Sequence, residues 1–256
     1  MGRFDHIEPE AQPLQQGDDA SYGFQHFMDQ ADLAMRRGRY ESALRYYGRA
    51  LERDRIRAEA WAGQARALLE MGQAAEAFTW LEQAVRVAGE RPGFHALRAI
   101  AAARQGDADD ALAWADKAMR TGADLAEVWL ARAEVLYQQG QGSAAGRCLD
   151  KAHEREPGSH TARRCGEVAL GVGDLPRART WLERARSQDA ECPLVALRLG
   201  IYWERAGHID RARDELSRAL SLEPGLTPAT LALEDLDQRG LWARATASIR
   251  RWTRGA

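Results

Sequence analysis

The sequence predicts an all-α solenoid, a row of antiparallel helix pairs in which each pair packs on its neighbours. Three observations carry that prediction. First, Gly38, Gly72, Gly106, Gly140, Gly173, Gly207 and Gly240 follow one another at intervals of 34, 34, 34, 33, 34 and 33 residues. Self-similarity at a fixed period of this size is the mark of a repeat architecture. Second, alanine stands five residues after each glycine, at Ala43, Ala77, Ala111, Ala145, Ala178, Ala212 and Ala245. Third, apolar residues between the glycines recur at steps of three and four, which is helical spacing and not strand alternation.

Each copy can be justified in turn. Copy one starts near residue 24 and carries small Ala31 seven places before Gly38, then Ala43 and Ala50 beyond it. Copy two, from about 58, shows the pattern most clearly: "AWAGQARALLEM" is a run of good helix formers, Gly72 stops it, and "AAEAFTWLEQAV" begins a second helix. Copies three and four start near 92 and 126 and repeat the small residues at Ala99, Ala118, Ala133 and Ala152. Copies five and six, from about 159 and 193, use Gly166 and Gly200 at the first small place and Ala185 and Ala219 at the last. Small residues mark the closest helix approaches, where a large side chain would hold the axes apart. Larger residues such as Phe27, Trp61, Leu81, Trp129, Leu149, Leu182 and Leu216 fill the gaps, and Pro157 and Pro224 interrupt the chain between copies. Copy seven, near 226, has drifted to Leu233 and Trp252 at the small places and is read as a terminal cap.

A 34-residue helix pair with small, Gly, Ala, Ala at these steps resembles the tetratricopeptide repeat (TPR). The resemblance runs from Phe24 to the C-terminus. Trp61 and Trp129 occupy the family's tryptophan place and Pro157 and Pro224 its proline place, whereas copies three and five depart with His95 and Ala162 where an aromatic is usual. The resemblance implies a right-handed solenoid over residues 24–256, and the acidic, proline-containing composition before it predicts a flexible tail over 1–23. It is nearly silent on function, because fold does not dictate function.

Composition excludes several classes. With 36 basic and 38 acidic residues the charge is nearly balanced, which argues against bulk nucleic-acid binding. No apolar run is long enough to cross a membrane, and the first 30 residues hold no signal-peptide core, so a soluble cytoplasmic protein is expected. Arginine outnumbers lysine 34 to 2 and asparagine is absent, a bias expected of a GC-rich bacterial genome. Cys148, Cys165 and Cys192 are too widely spaced for a CxxC pair and are read as free thiols, the first two buried. His153 and His160 flank Pro157 near Glu154 and Glu156 but match no metal-ligand spacing. "GDADDAL" lacks the rest of a calcium loop, and no glycine run precedes a Lys-Ser/Thr pair. No catalytic constellation stands out, so neither an enzyme nor a cofactor nor a metal is expected. The aromatic ruler of Tyr46, Trp80, Trp114 and Trp181 is read as packing.

What remains is a binding surface. In the family the first helix of each pair lines the concave face. Carried over, that face comprises Met28, Asp32, Met35 and Arg36, then Arg66, Leu69 and Glu70, then Ile100 and Arg104, then Leu130, Glu134 and Tyr137, and finally Arg163 and Glu167. Apolar residues between charges of both signs suit an amphipathic helix or an extended peptide of a protein partner. The clamp by which some relatives hold the acidic tails of heat-shock chaperones needs lysine and asparagine. Met28, Asp32, Ala62 and Arg66 stand there instead. The expected role is a non-catalytic adaptor or scaffold, such as an assembly factor or a subunit of a larger complex. The alternative is a self-assembling scaffold that joins through its repeat ends.

The two ends carry opposite charge. Residues 1–22 hold Asp5, Glu8, Glu10, Asp18 and Asp19 against Arg3, whereas Arg239, Arg244, Arg250, Arg251 and Arg254 face no acid. A solvated tail and a basic cap suited to a helix C-terminus account for this. A contact between the cap and an acidic partner, including another copy's tail or an anionic surface, is the functional alternative.

Overall fold

A computed structural model of the chain describes residues 22–238. All but the last two residues of the acidic tail, and the basic segment with Gly240, Arg244, Arg250, Arg251 and Arg254, lie outside the described residues. Twelve helices follow in six pairs: α1 (Phe24–Arg36) with α2 (Tyr40–Arg53), α3 (Ala58–Glu70) with α4 (Ala74–Ala88), α5 (Pro92–Gln105) with α6 (Ala108–Gly122), α7 (Ala126–Gln138) with α8 (Gly142–Arg155), α9 (Ser159–Gly171) with α10 (Leu175–Gln188), and α11 (Pro193–Arg205) with α12 (Ile209–Leu222). A further helix, α13, occupies 227–238. Among the described residues there is no strand. The fold is the all-α helical repeat that the glycine ruler predicts.

The ruler glycines are where they are because each first helix ends in the same turn. After α1, the Arg39 N–H donates to the Ala34 carbonyl and the Gly38 N–H to that of Met35, at 2.9 and 3.1 Å. The same two bonds recur at Gln73 and Gly72, Asp107 and Gly106, Gln141 and Gly140, Asp174 and Gly173, and His208 and Gly207. This is the Schellman closure, which puts its penultimate residue in the left-handed region. All six glycines have φ between 72 and 90°. Between pairs a different device works. The indole N–H of Trp61 donates to the Arg55 carbonyl and that of Trp129 to Ala123, both at 2.7 Å, so these tryptophans pin the preceding turn as well as fill space.

The alanines are the contact points between helices. Ala43, Ala77, Ala111, Ala145, Ala178 and Ala212 are fully buried, as are Ala50, Ala84, Ala118, Ala152, Ala185 and Ala219. Gly166 and Gly200 go further. A Cβ at Gly200 would stand 2.7 Å from Leu216 Cγ and 3.3 Å from the Ala212 carbonyl, whereas one at Gly93 would meet nothing. Glycine inside a helix costs about 0.5–1 kcal/mol relative to alanine. Gly93→Ala should therefore stabilise the chain by about that amount. Gly200→Ala should destabilise it by about 1–3 kcal/mol through overpacking. Chemical denaturation followed by helix content checks both signs.

Aromatic side chains pack as the sequence implies. Trp80 lies on Trp61 with ring centroids 4.7 Å apart, His95 stacks on Trp114 at 5.5 Å, and Trp181 and Trp203 are buried. Cys148 and Cys165 are buried free thiols, with Cys192 half-buried. No cluster of potential metal ligands occurs among the described residues.

Candidate functional site

The inward faces of the first helices converge on one pocket of ≈330 Å³. Its lining unites Asp32, Met35 and Arg36 of α1, Arg66 and Glu70 of α3, and Arg163 of α9, all of them among the groove residues expected from the sequence. Met28, Leu69, Ile100 and Leu130 are placed differently. They are buried in the core between helices, at 7, 3, 1 and 3 % exposure. An apolar residue on the inner side of a first helix can reach the neighbouring repeat, and that packing has claimed these four. Arg104 and Glu134 pair with each other at 2.9 Å, and Arg104 also donates to the Leu69 carbonyl. Tyr137 donates its hydroxyl to Asp174 at 3.0 Å, and burial, together with that bond, raises its pKa to about 12.

The charged groups of the pocket floor are engaged with one another across repeats. Glu127, at the start of α7, accepts from Arg66 of α3 on both oxygens, at 2.5 and 3.2 Å, and from Arg164 of α9 on one of them at 3.2 Å. Glu167 pairs with Arg163 one turn earlier and with Arg198 of α11 at 2.7 Å, and Arg198 reaches Glu70 of α3 at 3.3 Å. Burial alone would raise the Glu127 carboxyl, but the Arg66 and Arg164 guanidiniums override it and pull the pKa down to about 2. Glu167 is likewise held below the ordinary value, burial being outweighed by Arg163 and Arg198. Tyr47 donates to Asp32 at 2.7 Å, its ring lying flat on Gly63, where any Cβ would collide with it.

Beside this pocket the solenoid also closes upon itself. The turn after α1 touches the other end of the repeat array: Arg39 donates to Glu223 through Nε at 3.0 Å and Nη2 at 2.6 Å. Glu223 is buried. Beside it, a Cβ on Gly38 would come within 2.6 Å of Leu226 and 2.8 Å of Leu194, so the backbone of the first turn rests directly on the sixth and seventh copies. With the Arg198–Glu70 pair, these contacts join residues more than 120 positions apart.

Tyr40, Tyr47, Glu156, His160 and Arg164 complete the lining, and Glu127 and Arg198 the network behind it. The sequence held one signal for these: Arg164 and Arg198 occupy the same place in successive copies, 34 residues apart. The tyrosines come from α2, and no rule that assigns the groove to first helices would find them. His160 is exposed on the groove, where desolvation and the guanidiniums of Arg163 and Arg164 lower its pKa.

Family models described as tetratricopeptide repeat match residues 34–101, 92–117 and 166–227. Among solved structures, the chain is similar to one in the Cut9-Hcn1 hetero-tetramer of APC/C, at 17 % identity and a TM-score of 0.65, over 84 % of this chain and 45 % of that one. It thus spans less than half of that relative. It is also similar to a thermophilic TPR protein of Thermus thermophilus, at 22 % identity and a TM-score of 0.56, over 72 % of this chain and 99 % of the other. A tetratricopeptide repeat protein of Parabacteroides merdae matches at 14 % identity and a TM-score of 0.55, over 83 and 84 %. No curated protein matches the sequence. At these identities the likeness is one of fold.

Proposed function

The chain belongs to the tetratricopeptide repeat family, and on that premise we propose that it is a non-catalytic adaptor whose concave pocket receives a short extended segment of a protein partner. The observation that carries this reading is the pocket itself: side chains from α1, α2, α3 and α9 meet in one charged concavity, although their helices are far apart in the chain. Its size favours one of the two occupants expected from the sequence. An α-helix with side chains is about 10–12 Å across, and the pocket offers ≈330 Å³, near the lower end of the range of small-ligand sites. A few extended residues fit this space better than an amphipathic helix. No helix among the described residues is long and apolar enough to cross a membrane.

The test uses exposed groove residues, because Arg66 and Arg104 already hold internal partners. Arg36 is exposed and lines the pocket. Arg36→Glu together with His160→Glu should abolish capture of partners from the native host. Arg86→Glu, an exposed change on α4 outside the pocket, should leave capture intact. Loss of one interface anchor costs on the order of 2 kcal/mol or more, roughly a thirtyfold weakening, which capture at micromolar concentration resolves. Equal capture by all three proteins would move the binding surface elsewhere. Light scattering at several concentrations separates an adaptor from a self-assembling scaffold, since only the scaffold grows with concentration.

A further inference from the structure

The seam between the two ends of the array joins helix pairs that are not neighbours along the chain. On one side stands the turn after α1. On the other stand Leu194 at the start of α11, Glu223 just past the end of α12 and Leu226 just ahead of α13. Gly38 rests on Leu194 and Leu226, both buried. Arg39 holds the buried Glu223, although its own side chain is 48 % exposed. An ion pair with a half-exposed member is weak. Arg198 reaches Glu70 across the same gap at 3.3 Å, but its shorter contact is to Glu167 at 2.7 Å, so Arg198 keeps a partner when the ends part. Opening the seam uncovers Leu194, Leu226 and Glu223. The surface that fits them is the turn after α1, and every copy of the chain carries that turn.

We propose that this seam exchanges between copies: two chains join head to tail, the turn after α1 of each seated on Leu194, Leu226 and Glu223 of the other. The contact is heterologous, with different surfaces on its two sides, and such contacts close into rings when the geometry allows. A single closed chain is the smallest ring of this contact, and a ring of two is the next. Both make the same contacts, since each seam opened within a chain is replaced by one between chains. That equivalence underlies domain swapping. An array whose repeats pack mainly on their neighbours can spread the required opening over several junctions. Concentration decides which ring prevails. Within one chain the first turn is offered to its seat at an effective concentration in roughly the millimolar range. A single closed chain is therefore expected in micromolar solution, and exchange as the solution approaches millimolar. The ring closes at two and does not grow into an open-ended scaffold. The inference does not depend on the pocket being a binding site.

Two charge reversals in the full chain test it, because each breaks the seam within its own chain while their mixture rebuilds it between chains. Arg39→Glu sets a carboxylate against Glu223, and Glu223→Arg sets a guanidinium against Arg39. In a one-to-one mixture the reversed side chain of each copy meets its opposite charge on the other, and the unaltered Arg39 and Glu223 also meet. Light scattering and native mass spectrometry read the outcome over a concentration series. Each variant alone should stay at the mass of one chain. The mixture should form a heterodimer whose fraction rises with concentration and exceeds either homodimer by about tenfold or more, as expected when like-charge contacts become opposite-charge ones. Both reversals in one chain should restore a closed single chain with the wild-type radius of gyration, which also shows that the altered residues permit folding. Gly38→Val added to both members of the mixture should abolish the heterodimer. A mixture that stays the sum of two single chains, or homodimers as abundant as the heterodimer, overturns the proposal.

Discussion

Glu127→Gln should lower the unfolding free energy by about 3–5 kcal/mol at pH 7, the cost of removing one member of a buried ionic cluster. The single carboxylate stands between Arg66 and Arg164, so its loss leaves two guanidiniums in the pocket floor without that partner. The same residue sets an acid limb. Its folded-state pKa is lowered to about 2, against about 4.3 for an unperturbed glutamate. A depressed carboxyl contributes stability that is fully present above the unfolded value and is lost as pH falls through the folded one. The wild type should therefore weaken between about pH 4.5 and 2, and the Gln variant should lose less over that window. Urea denaturation at pH 7 and pH 3 measures both. Parallel losses in the two proteins would show that Glu127 is not ion-paired in solution.

Gly38→Val should cost about 2–3 kcal/mol and open the molecule. Part of the cost is local, since a β-branched residue at φ 72° is strained by about 1–3 kcal/mol. The remainder comes from the collision with Leu194 and Leu226. Gly72→Val separates the two, because Gly72 has φ 77° but nothing within 4 Å of its Cβ position. Both variants should keep a helical spectrum, as expected of a solenoid in which each repeat packs on its neighbours. Only Gly38→Val should increase the radius of gyration in X-ray scattering. An equal radius for both would remove the closing contact from the account.

The fold was legible because its constraints are local and repeated. A Schellman turn demands glycine at one place, and a close helix contact demands alanine or glycine at others, so the sequence states each requirement six times over. The site was legible only in part. Asp32, Met35, Arg36, Arg66, Glu70 and Arg163 line the pocket from first helices, the helices that the family resemblance assigns to the groove. Met28, Leu69, Ile100 and Leu130 share such helices but are drawn into the core, a distinction that depends on the depth of each neighbour and not on register. The Arg198–Glu70 pair and the Arg39–Glu223 contact were not readable at all. They join copies that are remote along the chain, and their existence depends on how far the superhelix turns from repeat to repeat, which no period in the sequence encodes.

The closed solenoid is the central claim, and one distance tests it. Spin labels at Arg37→Cys and Thr227→Cys, two exposed positions flanking the Arg39–Glu223 contact, would be placed in a Cys192→Ser background. Cys148 and Cys165 are buried, and burial raises their thiol pKa values, Cys165 to about 12, which keeps both from labelling. Double electron–electron resonance should give one short, narrow distance, as for labels on two surfaces in direct contact. A broad distribution centred at a separation comparable to the length of the repeat array would mean an open solenoid and a long exposed groove.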